Sequence, residues 1–232
     1  MSFQVSYGLG VVLSGKLLDK FGTKWIFAIG VGLWSAAGMA HAFAKGAFGF
    51  GIARFSLGLG ESVNFPASVK TVAELFPPSQ KAFATGFFNA GSNIGAIVAP
   101  LLIPFIAYKY GWQWAFILTG ALGFIWLFFW LMFYESPEKQ KRLKAAELAY
   151  INSDEDEVAD KANVDKVAWF KLLGYRQTWA FTFGKFMTDG VWWFFLFWLP
   201  GYLKDQYAMT GSDIMLPLAV LYSMTMIGSI GG

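Results

Sequence analysis

The sequence predicts an all-α membrane protein with several spans, and three observations predict it. The chain is 56% hydrophobic and only 14% charged, with a mean hydropathy of +0.47, which leaves too few polar side chains to cover a water-exposed surface. Its apolar residues gather in runs that approach the roughly 20 residues a helix needs to cross hydrocarbon. Its basic residues gather in alternate breaks between those runs, as the topology rule for membrane proteins requires. An aromatic content of 19%, with 11 Trp and 25 Phe, suits lipid-facing surfaces and interfacial belts.

The runs follow in order. Val5 to Leu13 is about half a span and begins almost at Met1. Trp25 to Phe43, Ala47 to Val69, Ala82 to Ala107, Trp114 to Phe133 and Trp179 to Leu199 are spans. A further run begins near Asp213 and continues to Gly232. No basic region, short apolar core and small-residue cleavage site marks a signal peptide. Lys16, Lys20 and Lys24 in the first break, Lys81 in the third, and Lys139, Lys141, Arg142, Lys144, Lys161, Lys166, Lys171 and Arg176 in the long one stand against Lys45, Lys109 and Lys204 in the alternate breaks. Twelve against three places the first, third and long breaks in the cytoplasm. The long break, Tyr134 to Gln177, holds Ser136-Pro137 and the acidic run Asp154 to Glu157; Lys141 to Ile151 is expected to form a surface amphipathic helix, and the charges read as a solvated face.

Several function classes are excluded at this stage. With no Cys, the chain has no disulfide framework, thiolate metal site or cysteine nucleophile. A single His41 and no His/Asp/Glu cluster leave no metal site, and no cofactor is implied. The net charge of +3 is spread between hydrophobic runs, so nucleic acid is not an expected partner. With neither a nucleophile and base pair nor a metal set, an enzyme is not expected. His41, near the outer end of its span, reads as an interfacial residue, and Lys70 as a side chain that snorkels to the headgroups.

Two groups of residues carry more specific information. In the first cytoplasmic break, Gly15-Lys16-Leu17-Leu18-Asp19-Lys20-Phe21-Gly22-Thr23-Lys24 combines two glycines suited to tight turning and close helix approach with an acid, Asp19, that can cap or pair with a neighbouring helix end. In the third run, Arg54 and Glu61 are seven apart, so both fall on one helix face about 10 Å apart along the axis, with Gly58 between them. Charges at this depth face a cavity or each other. A structural ion pair is one reading. The other is a coupled site: desolvation favours the protonated form of Glu61 and Arg54 opposes it, so an anion that occupies Arg54 releases Glu61 to take a proton.

The first of these groups resembles the helix 2 to 3 loop signature of the major facilitator superfamily, Gly-x-Leu-x-Asp-x-x-Gly-x-Lys. The resemblance implies that Gly15, Asp19, Gly22 and Lys24 serve gating between inward- and outward-facing states. Arg54-Phe55-Ser56-Leu57-Gly58-Leu59-Gly60-Glu61 with Asn64-Phe65-Pro66 is similar to the anion:cation symporter branch, in which the matching Arg and Glu are implicated in anion binding and proton coupling. Phe87 to Ala96 with Ala99-Pro100, Gly111 to Ile117, and Phe186 to Phe194 with Trp198-Leu199-Pro200 resemble the bacterial hexuronate transporters within that branch.

On this resemblance the chain is a fragment of a major facilitator fold, from the end of helix 2 to helix 8 of an expected 12. Residues 1–134 would be an N-terminal half lacking helix 1 and part of helix 2, 135–177 the cytoplasmic central loop, and 178–232 the start of the C-terminal half. Six plus six helices joined by a long cytoplasmic loop is a parallel-repeat arrangement. Ser92 and Asn93 offer a hydroxyl and an amide suited to sugar hydroxyls, or to interhelical hydrogen bonds beside Gly91 and Gly95; Asn89 reads as packing. Lys185 and Asp189, four apart, are placed to pair within their helix. Trp192 is either a stacking platform for a sugar or a lipid-facing aromatic. The expectation is a monomeric inner-membrane symporter that takes up hexuronates with protons. Another organic anion, such as an aldonate, a tartrate or a phthalate-like acid, or a transporter-like sensor, are the alternatives.

Overall fold

The computed structural model describes residues 1–140, 143–151, 169–209 and 211–231. The acidic run Asp154 to Glu157, together with Lys141, Arg142, Lys161 and Lys166, lies outside the described residues. Every regular element among the described residues is helical, as the composition requires, because a chain that crosses hydrocarbon must satisfy its backbone polar groups within each segment.

The short first run is longer than its hydropathy suggests. Helix α1 covers Ser2–Phe21 and absorbs most of the basic signature, so Gly15 and Asp19 sit on a helix and not in a loop. The turn is made by Gly22 alone, at φ 82°, a conformation that a side chain would strain. Gly15 carries no turn, and a Cβ there would meet nothing within 4 Å. Both sequence expectations for Gly15, tight turning and close helix approach, are therefore corrected.

Helix α2 covers Thr23–Ala40 and closes with a 3₁₀ turn, His41–Phe43. The third run, expected as one span, is broken into α3, Gly46–Glu61, and α4, Asn64–Leu75, with Ser62 and Val63 between them. The cause is Pro66, which has no N–H to give the carbonyl of Ser62, four residues back. Glu61 is thereby left at the last position before the interruption.

Helix α5 runs through Pro78–Tyr110 with Pro100 and Pro104 inside it, and α6 covers Trp112–Phe133. In the central segment, α7 is Ala145–Ile151, shorter than the expected Lys141 to Ile151. Helix α8, Trp169–Leu172, leads into α9, Arg176–Trp193. A π-helical stretch, Phe194–Trp198, joins α9 to α10, Leu199–Tyr207, and α11 covers Met215–Gly231.

By length and composition, three helices among the described residues suffice to cross a membrane: Thr23–Phe43, Pro78–Tyr110 and Trp112–Phe133. The chain is a membrane protein. Its packing is built on α2, which lies against α3 and α6, while α1 packs on α3 and α11 on α5. The core of the first group is Leu18, Phe27, Val31, Val63 and Ala67, bordered by Trp34, Leu127 and Trp130. Large apolar side chains on the other faces, such as Ile29, Phe124 and Phe128, are exposed, as lipid contact demands.

Candidate functional site

Close helix approach sets the geometry around Glu61. A Cβ on Gly58 would run into the Ser6 hydroxyl, and one on Gly60 would lie 2.5 Å from the Trp34 backbone nitrogen and 2.9 Å from the Gly30 carbonyl oxygen. These two positions bring α1 and α2 tight against α3 on either side of the residue that follows them, Glu61. Glu61 lines a cavity of about 340 Å³ together with Trp34, Ser35 and Gly38 of α2, Leu57 of α3, Asn64 of α4, and Thr119 and Gly120 of α6.

Arg54 is exposed on α3 and is not among the residues that line this cavity. It makes no ion pair with Glu61 among the described residues, although the two remain within electrostatic reach. The structural-pair reading is therefore not realised. A cavity lined by both side chains is not seen either: Glu61 lines one and Arg54 is exposed outside it.

Sequence reasoning missed Tyr7. It stacks on Phe3 at 5.7 Å, and the charges of both Glu61 and Asp189 act on its phenol. Nothing in the spacing of its short run singled it out; the signal comes only from the tight crossing of α1 on α3. Asp189 accepts from Lys185 at 2.8 Å, with both side chains substantially exposed.

The α5 candidates separate. Ser92 is exposed and its hydroxyl donates to the Asn89 carbonyl at 2.6 Å. Asn93 is 2% exposed, with Oδ1 lacking any protein partner. It lies on the helix that packs against α11, so it is closed to a soluble ligand in this conformation. Trp192 is half-buried and meets the Tyr222 ring edge-on at 6.1 Å.

Two of the gating candidates, Asp19 and Lys24, make polar contacts to other helix ends. Asp19 accepts from Lys70 at 2.6 Å, and Lys70 also donates to the Leu18 carbonyl at 3.1 Å. Lys70 is therefore held by α1, which corrects its expected reach to the headgroups. Lys24 donates to Glu135 at 2.7 Å; this bond holds the Glu135 carboxyl below the usual carboxylate range. Beside it, Thr23 and Tyr134 both donate to Glu74, at 2.8 and 2.5 Å, and Tyr134 stacks on Trp130 at 3.9 Å. Burial, and then the bond to Glu74, raise the Tyr134 phenol above the ordinary tyrosine value. His41, expected at the interface, is 1% exposed, with Nδ1 at 2.7 Å from the Ala37 carbonyl and its ring stacked on Phe116.

Comparison with known proteins bears on what this arrangement serves. The family description "Major Facilitator Superfamily" matches residues 1–232. A galacturonate transporter of Dickeya chrysanthemi is 31% identical over 93% of this chain and 62% of its own length. A hexuronate transporter of Escherichia coli K12 is 33% identical over 93% of this chain and 50% of its own length. A D-galactonate transporter of E. coli O6:H1 is 33% identical over 90% of this chain and 50% of its own length. The chain thus spans 50 to 62% of the length of these relatives.

Proposed function

Because this chain belongs to the major facilitator superfamily, we propose that the protein carrying it imports hexuronates, such as glucuronate or galacturonate, across the inner membrane together with protons. Arg54 attracts the substrate carboxylate and Glu61 carries the coupled proton. The single observation that supports the reading is that these two opposite charges share one largely apolar helix without pairing, Glu61 lining a cavity and Arg54 remaining exposed. Charges left in that state in hydrocarbon are costly unless they serve a ligand or a proton.

Coupling follows from competition for Arg54. An arriving carboxylate neutralises the guanidinium, weakens its hold on the anionic form of Glu61 and favours protonation. The loaded site is then exposed on the other side as the two halves, 1–134 and 178–232, rock about it, with 135–177 as the cytoplasmic loop between them. No enzymatic step is part of this cycle, and the carrier works as a monomer.

A second sugar-acid class is favoured by one observation: the D-galactonate transporter is as similar, at 33% identity, as the hexuronate transporter. Lys185, engaged with Asp189, lacks the planar fork that grips a carboxylate at two points, so it does not by itself select uronates over aldonates. The test is uptake of labelled glucuronate by the full-length protein in liposomes, with glucuronate, galacturonate and galactonate as competitors. Accumulation that follows an inward proton gradient supports the reading. Uptake indifferent to the gradient removes the proton coupling, and competition by galactonate alone moves the substrate to the aldonates.

A further inference from the structure

We infer that the seam between α5 and α11 is a packing surface built to part, and that Asn93 sets how readily it parts by making the closed seam less stable. The inference rests on the carrier reading, in which α5 belongs to 1–134, α11 to 178–232, and the two halves rock. Helix α5 makes its most extensive packing with α11. Through the middle of α5 the buried residues are Ala90 and Asn93, three apart and so on one face. Those of α11 are Leu218 and Tyr222, four apart and likewise on one face. Ala90 and Leu218 bring hydrocarbon to the seam, and Tyr222 brings a ring that meets Trp192 edge-on. The remaining residue is an amide, 2% exposed, whose Oδ1 has no hydrogen-bond partner. Thr225 of α11 does not supply one, because its hydroxyl donates to the Leu221 carbonyl of its own helix at 2.9 Å.

The first group of helices is joined differently. There α1 and α2 interlock with α3, since a Cβ on Gly58 or Gly60 would run into the neighbouring helix. No such interlock is made by Gly91 and Gly95 of α5 or by Gly228 of α11, where a Cβ would meet nothing within 4 Å. The seam is therefore held by side chains that can slide apart, and one of them disfavours the contact. A buried amide oxygen without a donor has lost its hydration and gained no hydrogen bond in exchange, an arrangement rare enough in folded proteins to need a reason. Parting the seam gives the amide access to donors again. An all-apolar seam would lack that relief, and the closed state would be populated more heavily at the expense of the other.

The experiment puts a single thiol on the opposite helix, Leu218→Cys, in the full-length protein with any other cysteine replaced; this chain itself has none. Its alkylation by N-ethylmaleimide is followed in liposomes, where the buried position reacts only while the seam is parted. Asn93→Leu, which keeps the bulk and removes the unpaired amide, is expected to slow alkylation about tenfold and to raise the melting temperature. Asn93→Asp, whose carboxyl is costlier to bury, is expected to speed it. An unchanged rate in Asn93→Leu, or a faster one with a lower melting temperature, overturns the inference, because the amide is then indifferent to the seam or holds it shut; the carrier reading survives that result. A Leu218→Cys thiol that reacts in the unfolded protein but never in the folded one shows a seam that does not part, and sinks the rocking of the two halves together with the inference.

Discussion

Replacing Tyr134 by Phe removes the one hydroxyl that joins the end of α6 to Glu74 of α4 and leaves nearly all else in place. The ring still stacks on Trp130, and the side chain, 8% exposed, still fills its site. Glu74 loses the shorter of its two donors, at 2.5 Å, and keeps only Thr23 at 2.8 Å. A hydrogen bond to a charged acceptor contributes about 1.5–3 kcal/mol, so the loss should be about 2 kcal/mol. For a domain of about 150–250 residues that corresponds to a fall of about 4–8 °C in the melting temperature, and for a longer protein to proportionately less.

The pH dependence has a definite sign. The phenol is raised above its ordinary value, so its contribution is complete below about pH 10 and is lost only as pH rises through the folded value. Thermal unfolding of the detergent-solubilised full-length protein and its Tyr134→Phe variant should therefore differ by the same amount across the neutral range. Identical melting temperatures, or a difference that vanishes between pH 6 and 9, would show that the Tyr134–Glu74 bond is not holding α4 to α6.

Three further outcomes are expected. Arg54→Lys should raise the KM for the acid about tenfold with expression unchanged, because a lysine loses the two-point grip; an unchanged KM in an uptake assay would remove Arg54 from substrate binding. Gly60→Ala places a methyl against the backbone of Trp34 and Gly30 and should cost about 1–3 kcal/mol, whereas Gly91→Ala, with nothing within 4 Å, should be tolerated; comparable melting of the two variants would contradict the close approach. Since Lys24 depresses the Glu135 carboxyl, the stability that the pair supplies should be present above the usual carboxylate range and disappear as pH falls through the lowered value. Glu135→Gln and wild type should then converge on melting only in acid; convergence already at neutral pH would argue against the contact.

Much of the helix order was legible because lipid forces a simple code: apolar runs of span length separated by polar breaks. The boundaries were not, since hydropathy reports lipid exposure and not helix continuation. Charged Lys16, Asp19 and Lys20 hid the second half of α1, and Pro66 broke a span that its composition joined. Arg54 and Glu61 were visible because charge in an apolar run is conspicuous. Tyr7 was not, because a phenol in such a run is ordinary, and only the approach of α1 to α3 brings it within reach of the Glu61 charge. Asn93 and Ser92 looked equivalent as neighbours; the helical turn between them sends one into packing and leaves the other exposed.

Helix α5 also works as a ruler. Its 33 residues measure about 50 Å at 1.5 Å each, against a hydrocarbon slab of about 30 Å. Lys81 and Lys109 are about 42 Å apart along it, close to the full bilayer with its headgroups, and Lys109 lies over the rings of Phe105 and Tyr110. One ammonium therefore meets each phosphate layer when the helix stands nearly upright. A strong lean would draw one of them into the acyl chains, so the pair restrains how far this helix can tip.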